Sequence, residues 1–208
     1  MPPALGHDPD SLSFFFDPSC PWTWLTSRWF VEATARRGRP VRWRAFSLAC
    51  ITDGDDRDER TRVRLDHAQR ALRVVESLTA EERHDAAGDF YTELGTRVHP
   101  GGEPLDRAAC LAAGEAAGVD DVAARLDDES LDEVVRASFE EIRDVLGDDV
   151  GSPAVRLDAT GAALFGPLVS PAPTGAEADR LLAATMTLLE LPTFYELKRS
   201  RTGGPQFG

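Results

Sequence analysis

Leu12-Ser13-Phe14-Phe15-Phe16-Asp17-Pro18-Ser19-Cys20-Pro21-Trp22-Thr23-Trp24 is the stretch that decides the fold. The apolar run that ends at Asp17-Pro18 reads as a buried strand. From Pro21 the period changes. Trp22, Leu25 and Trp29 stand at i, i+3 and i+7, Ala33 follows one turn on, and Gly38-Arg39-Pro40 ends the helix. Val41-Arg42-Trp43-Arg44-Ala45 then alternates, which puts Val41, Trp43 and Ala45 on one face of a second strand. Strand, helix and strand in this order form a parallel βαβ unit with a right-handed crossover. Cys20 lies where the strand gives way to the helix.

Beyond Cys50 the pattern is helical. Leu65, Ala68, Leu72 and Val75 keep a helical period. Thr79-Ala80-Glu81-Glu82 and Ser130-Leu131-Asp132-Glu133 both have the form of a capping box, each expected to open a helix. Phe90 and Leu94 precede a stop at Gly95. An Ala-rich helix from Leu105 ends at Gly118, and Leu131, Val135, Phe139 and Ile142 form a stripe that ends at Leu146-Gly147. Ala154–Leu157 and Ala162–Phe165, around Asp158-Ala159-Thr160-Gly161, read as a hairpin. Gly175–Leu189 reads as a last helix, and the tail from Leu191 as irregular. The order β-α-β, helices, β-β-α is α/β: a thioredoxin-like fold with an all-helical insertion. The division expected is a discontinuous thioredoxin-like domain, 1–51 and 149–208, around a helical insertion domain, 52–148.

The chain has 208 residues and a formal net charge of −13. Residues 51–150 hold 12 basic and 27 acidic residues, whereas the flanking parts are slightly basic or neutral. The acidity therefore belongs to the insertion. It argues against nucleic acid and against a polybasic hold on membranes. Met1–Asp10 has neither a basic nor an apolar leader segment, and no apolar run is long enough to span a bilayer, so a cytoplasmic location is expected. Cys20, Cys50 and Cys110 are too few and too scattered for a disulfide framework. They have no metal-ligand spacing with the histidines. The run Asp53–Arg60 reads as a solvated loop. Arginine outnumbers lysine 22 to one and asparagine is absent, which is the mark of a GC-rich genome.

Cys20 is the residue best placed for chemistry. At a helix N-terminus a sulfur meets unpaired N–H groups and the positive end of the helix dipole, both of which favour thiolate. Pro21 suits the first helical position. Trp22 and Trp24 are expected to wall the sulfur, and Thr23 to donate a hydrogen bond to its thiolate. Gly151-Ser152-Pro153 enters a strand, and in this fold Ser152 and a cis Pro153 would face Cys20. His99 is expected in a loop at the cleft, His67 and His84 on solvated helix faces, Cys110 in the core, and Cys50 as apolar filler at a strand end or as a remote resolving thiol.

Phe14–Trp22 resembles the active-site segment of DsbA-family thioredoxin-fold oxidoreductases. Thr23–Trp29, Asp149–Pro153, Phe165-Gly166-Pro167 and Phe194–Arg199 are similar to the actinobacterial mycothiol-dependent nitroreductase branch of that family. The resemblance implies a cytoplasmic enzyme without a tightly bound cofactor. It would take a low-molecular-weight thiol such as mycothiol and a small electrophilic or disulfide substrate, as a monomer or homodimer. The family has Cys-Pro-Trp-Cys where this chain has Cys-Pro-Trp-Thr. The lone Cys20 implies a monothiol route through a mixed disulfide. Two other readings stand beside it. One is an isomerase or transferase of the kappa-class type, which binds a thiol without a disulfide cycle. The other is a paralogue that only binds.

Overall fold

The computed structural model describes residues 11–51 and 57–207. Strands β1 (Leu12–Phe16), β2 (Val41–Ala45), β3 (Ala154–Leu157) and β4 (Ala163–Phe165) form one sheet in the order β2-β1-β3-β4. Helix α1 (Pro21–Arg36) joins the parallel pair β1 and β2. β3 is antiparallel to both β1 and β4. α2 (Glu59–Ala80), α3 (His84–Val98), α4 (Arg107–Ala116), α5 (Val122–Asp127) and α6 (Asp132–Leu146) lie between β2 and β3. α7 (Gly175–Leu189) closes the fold beside α1. This is the thioredoxin-like α/β order. No described helix is long and apolar enough to cross a membrane.

The register explains the core. Phe14 lies opposite Trp43 and Val155, and Leu12 opposite Val41 and Leu157, so one sheet face is apolar throughout. Phe30 of α1 lies 5.1 Å from Phe14, ring centre to ring centre. Phe14, Phe16 and Trp43 share one continuous buried cluster with Leu72, Leu78, Phe90 and Leu94 of the helical middle. Each such side chain removed from water contributes roughly 1.5–3 kcal/mol.

The other sheet face is mixed. Phe15 lies between the guanidiniums of Arg44 and Arg156 and packs with Phe46, Phe139 and Ile142. Arg44 binds Glu76 and Glu141, and Arg156 binds Glu141 and Asp158. Ser11 and Ser13 both donate to Asp158.

β2 is an edge strand, and the helical middle satisfies its open side. Glu76 accepts from the Ala45 N–H at 2.6 Å, Ser138 donates to the Ala45 carbonyl, and Thr79 donates to the Trp43 carbonyl. An edge covered in this way offers no template to another strand.

Neither expected capping box forms. Thr79 lies in the last turn of α2 with its hydroxyl on Trp43, and Glu82 takes a left-handed φ of 60° at the turn into α3. The Ser130 hydroxyl donates to Asp128, and α6 starts at Asp132 without a side-chain cap. Gly95 does not end α3, which runs on to Val98. A Cβ there would stand 2.2 Å from the Trp24 ring, so the glycine serves a close approach. Gly118 does end α4. Its φ is 64°, and the Gly118 and Val119 N–H groups donate to Glu115 and Gly114 as in a Schellman turn.

Other expectations also change. Cys50 sits in a 3-10 turn, Leu48–Cys50, rather than at a strand end, and packs against the Phe15 cluster. His84 is half-buried, and its Nδ1 is enclosed with no partner. Asp53–Asp56, at the start of the charged run, lie outside the described residues, as does His7. Asp58 caps α2 by accepting from Thr61, and Glu59 opens the helix.

Candidate active site

β1 ends at Phe16, and the chain must turn sharply before α1. Asp17 makes that turn. Its carboxylate is 1% exposed and accepts from the Ser19 N–H (2.8 Å), the Ser19 hydroxyl (2.6 Å) and the Leu48 N–H (2.8 Å). This ties the segment before Cys20 to the exit of β2. Burial raises the Asp17 pKa, against the pull of the Ser19 and Leu48 hydrogen bonds and the Arg64 charge.

Cys20 is the N-cap residue of α1, and Pro21 takes the first helical position. The Ser152-Pro153 peptide, cis in this structure, faces it. Ser152 serves three groups. Its carbonyl accepts from the Cys20 thiol at 3.6 Å, its hydroxyl accepts from the Asp17 N–H at 2.8 Å, and the same hydroxyl meets the Thr23 hydroxyl at 2.7 Å. Ser152 thus meets Cys20 and Thr23 from more than 100 residues away in sequence. Thr26 extends the contact one turn on by donating to the Pro167 carbonyl.

The electrostatics differ from the sequence expectation. Burial pushes the Cys20 thiol above its ordinary range. The Thr23 hydroxyl and the Thr23 and Trp22 N–H groups favour thiolate, while the Asp17 charge opposes it. Desolvation of the charged form outweighs the helix N-terminus. The resting sulfur is a thiol, in keeping with its role as donor to Ser152.

Trp22 is half-buried on the rim. Trp24 is not an open wall. It is 5% exposed, pressed on Gly95, covered by the Arg28 guanidinium at 4.0 Å and stacked with His99 at 5.8 Å. His99 follows the last residue of α3 and is 8% exposed, with Nε2 3.1 Å from the Pro18 carbonyl. A carbonyl only accepts, so Nε2 carries a proton and donates to it. Burial lowers the His99 pKa to about 4, aided by the charges of Arg64 and Arg28 and opposed by the Pro18 hydrogen bond. Cys110 is buried in α4, with a pKa pushed up to about 12. Among the described residues no group of His, Cys, Asp or Glu forms a metal site.

Sequence reasoning missed Asp17, Arg64, Arg201 and Phe207. Arg64 donates to the Ser19 carbonyl, Arg201 lies over Trp22, and Phe207 packs on His99. Only Asp17 carried a local signal, as the first residue of an Asp-Pro-Ser turn.

The chain as a whole is similar to known proteins. The family model described as Rv2466c-like, mycothiol-dependent nitroreductase Rv2466c, matches residues 19–199. An uncharacterised protein of Mycobacterium tuberculosis, Rv2286c, is 29% identical over 198 residues, covering 92% of this chain and 83% of its own. Among solved structures, the cytosolic disulfide reductase DsbM from Pseudomonas aeruginosa with GSH superposes with a TM-score of 0.58 at 16% identity. It covers 86% of this chain and all of its own. A 2-hydroxychromene-2-carboxylate isomerase superposes with a TM-score of 0.59 at 15% identity, covering 85% of this chain and 93% of its own. At such identities the two structures speak to the fold.

Proposed function

Because the chain belongs to the Rv2466c-like family of mycothiol-dependent nitroreductases, we propose that it is a thiol-dependent oxidoreductase of the cytoplasm that works through one sulfur, Cys20. Mycothiol would be its co-substrate and a small electrophile or disulfide its substrate. One observation carries the monothiol reading. Cys20 brings its sulfur to the Ser152 carbonyl, and Thr23 fills the place of a second thiol with a hydroxyl bound to Ser152.

The cycle follows from that inventory. Cys20 gives up its proton and attacks one sulfur of a disulfide. The Cys20–S bond forms, the substrate S–S bond breaks, and the departing thiolate takes up a proton. A second thiol, as thiolate, then attacks the mixed disulfide and returns Cys20 as the leaving group, which is reprotonated. The substrate sulfur leaves as a new disulfide with that thiol. Thr23 stabilises Cys20 each time it carries charge, and Ser152 receives the proton-bearing sulfur at rest.

Mass spectrometry of the intact protein after exposure to mycothiol disulfide tests this reading. The expected result is a stable adduct on Cys20, removed by free thiol and absent in Cys20→Ser. A protein that stays unmodified would overturn it. The protonated resting thiol also favours a second reading, thiol binding without a disulfide cycle in the manner of a kappa-class isomerase or transferase. Turnover that survives in Cys20→Ser would select that alternative.

A further inference from the structure

Part of the rim over Cys20 comes from neither sheet nor helix. After α7 the chain returns across the site. The Arg201 guanidinium stands 4.6 Å from the centre of the Trp22 ring, and the Phe207 ring lies 5.8 Å from His99. Ser170 anchors this return, donating to the Gly204 carbonyl and accepting from the Gln206 N–H at 2.9 Å. The family match ends at residue 199, so both side chains lie beyond it.

Arg201 and Arg64 flank the Cys20 turn, one over Trp22 and the other on the Ser19 carbonyl, and Arg28 lies behind Trp24. Among the described residues none of the three forms an ion pair with a carboxylate. Elsewhere Arg44, Arg73, Arg107, Arg125 and Arg156 each hold one. Among the described residues other arginines, Arg42 and Arg136 for example, also lack such a pair, so it is the placement of Arg201 over Trp22 and of Arg64 on the Ser19 carbonyl that singles these two out. Asp17, the nearby carboxylate, is buried with its oxygens on Ser19 and Leu48. Arg28 is enclosed, with one terminal nitrogen buried and unpartnered, so Arg64 and Arg201 are the two open to a ligand. A guanidinium over an aromatic ring keeps its N–H fork available for a carboxylate.

We propose that Arg201, with Arg64 across the Cys20 turn, forms an anion-docking subsite, and that the electrophile handled by Cys20 carries a carboxylate. This rests on the reading of Cys20 as the nucleophile. Iodoacetate and iodoacetamide test it, because they share one alkylation step and differ chiefly in charge. In each case the sulfur bonds to the methylene carbon, iodide leaves and the thiol proton passes to solvent. The readout is the ratio of the two rate constants at Cys20, from peptide-resolved mass spectrometry. Arg201→Gln should lower the iodoacetate-to-iodoacetamide ratio about two- to fivefold, the size of an exposed ion pair. Arg201→Lys should restore most of it. The difference between wild type and Arg201→Gln should vanish at about 0.5 M salt. An unchanged ratio, or an equal fall with both reagents, would overturn the subsite and leave the nucleophile standing. A Cys20 that reacts with neither reagent in the wild type would overturn both.

Discussion

Thr23 buries a hydroxyl where it can serve two neighbours, the Ser152 hydroxyl at 2.7 Å and the sulfur of Cys20. The direction of the Cys20 pKa makes this testable. Burial raises it, and the Thr23 hydroxyl is the largest opposing influence. Alkylation of Cys20 should therefore rise with pH through a midpoint above the free-thiol value of about 8.5. Thr23→Val keeps the shape but removes the hydroxyl, so it should shift that midpoint further up, because one hydrogen bond to the charged sulfur is lost. A midpoint below that of a free thiol, or one that Thr23→Val leaves in place, would contradict the burial argument. The sequence showed the helix N-terminus at Cys20 but not its burial, which depends on Ser152 arriving from the far half of the chain.

The elements show where legibility ends. Strands, α1 and α7 were readable because period and stop signals agree locally: Val41, Trp43 and Ala45 do share a face, and α7 does run from Gly175 to Leu189. Helix ends inside the acidic middle were readable only in part: Gly118 and Gly147 do follow α4 and α6, but other boundaries were missed. Thr79 and Ser130 carry capping-box spacing, but each spends its hydroxyl elsewhere, one on the edge of the sheet and the other on Asp128. Gly95 looks like a stop because the ring that requires it, Trp24, is remote in sequence. The same remoteness hid the role of α2 as cover for β2. Glu76 is 2% exposed and takes the Ala45 N–H and the Arg44 guanidinium. Glu76→Ala leaves both without that acceptor and should destabilise the fold by about 2–4 kcal/mol. Urea unfolding measures this. A loss under about 0.5 kcal/mol, the usual size for a surface substitution, would show that the edge of β2 does not depend on Glu76.

At the scale of the whole molecule, His99 joins three parts that the sequence keeps far apart. It ends α3 of the helical middle, binds Pro18 beside the sheet, and packs against Phe207 of the tail. Its folded pKa of about 4 lies below the unfolded value, because burial disfavours its charged form. Between the two values the unfolded chain binds the extra proton, so stability falls as pH falls. The window runs from about 6.5, the unfolded histidine value, down to about 4. Half-buried His84, lowered by burial and by Arg42, acts in the same direction. Exposed pairs such as Arg107–Asp127 and Arg125–Glu81 hold their carboxylates down, so their contribution is lost only at more acid pH. His99→Gln keeps a donor for Pro18 but cannot take up the proton. Wild type should therefore lose more stability than His99→Gln between pH 7 and about 5, measured by urea unfolding at each pH. Parallel losses in the two proteins would mean that His99 titrates alike in the folded and unfolded chains, and that its burial between helix, sheet and tail does not persist in solution.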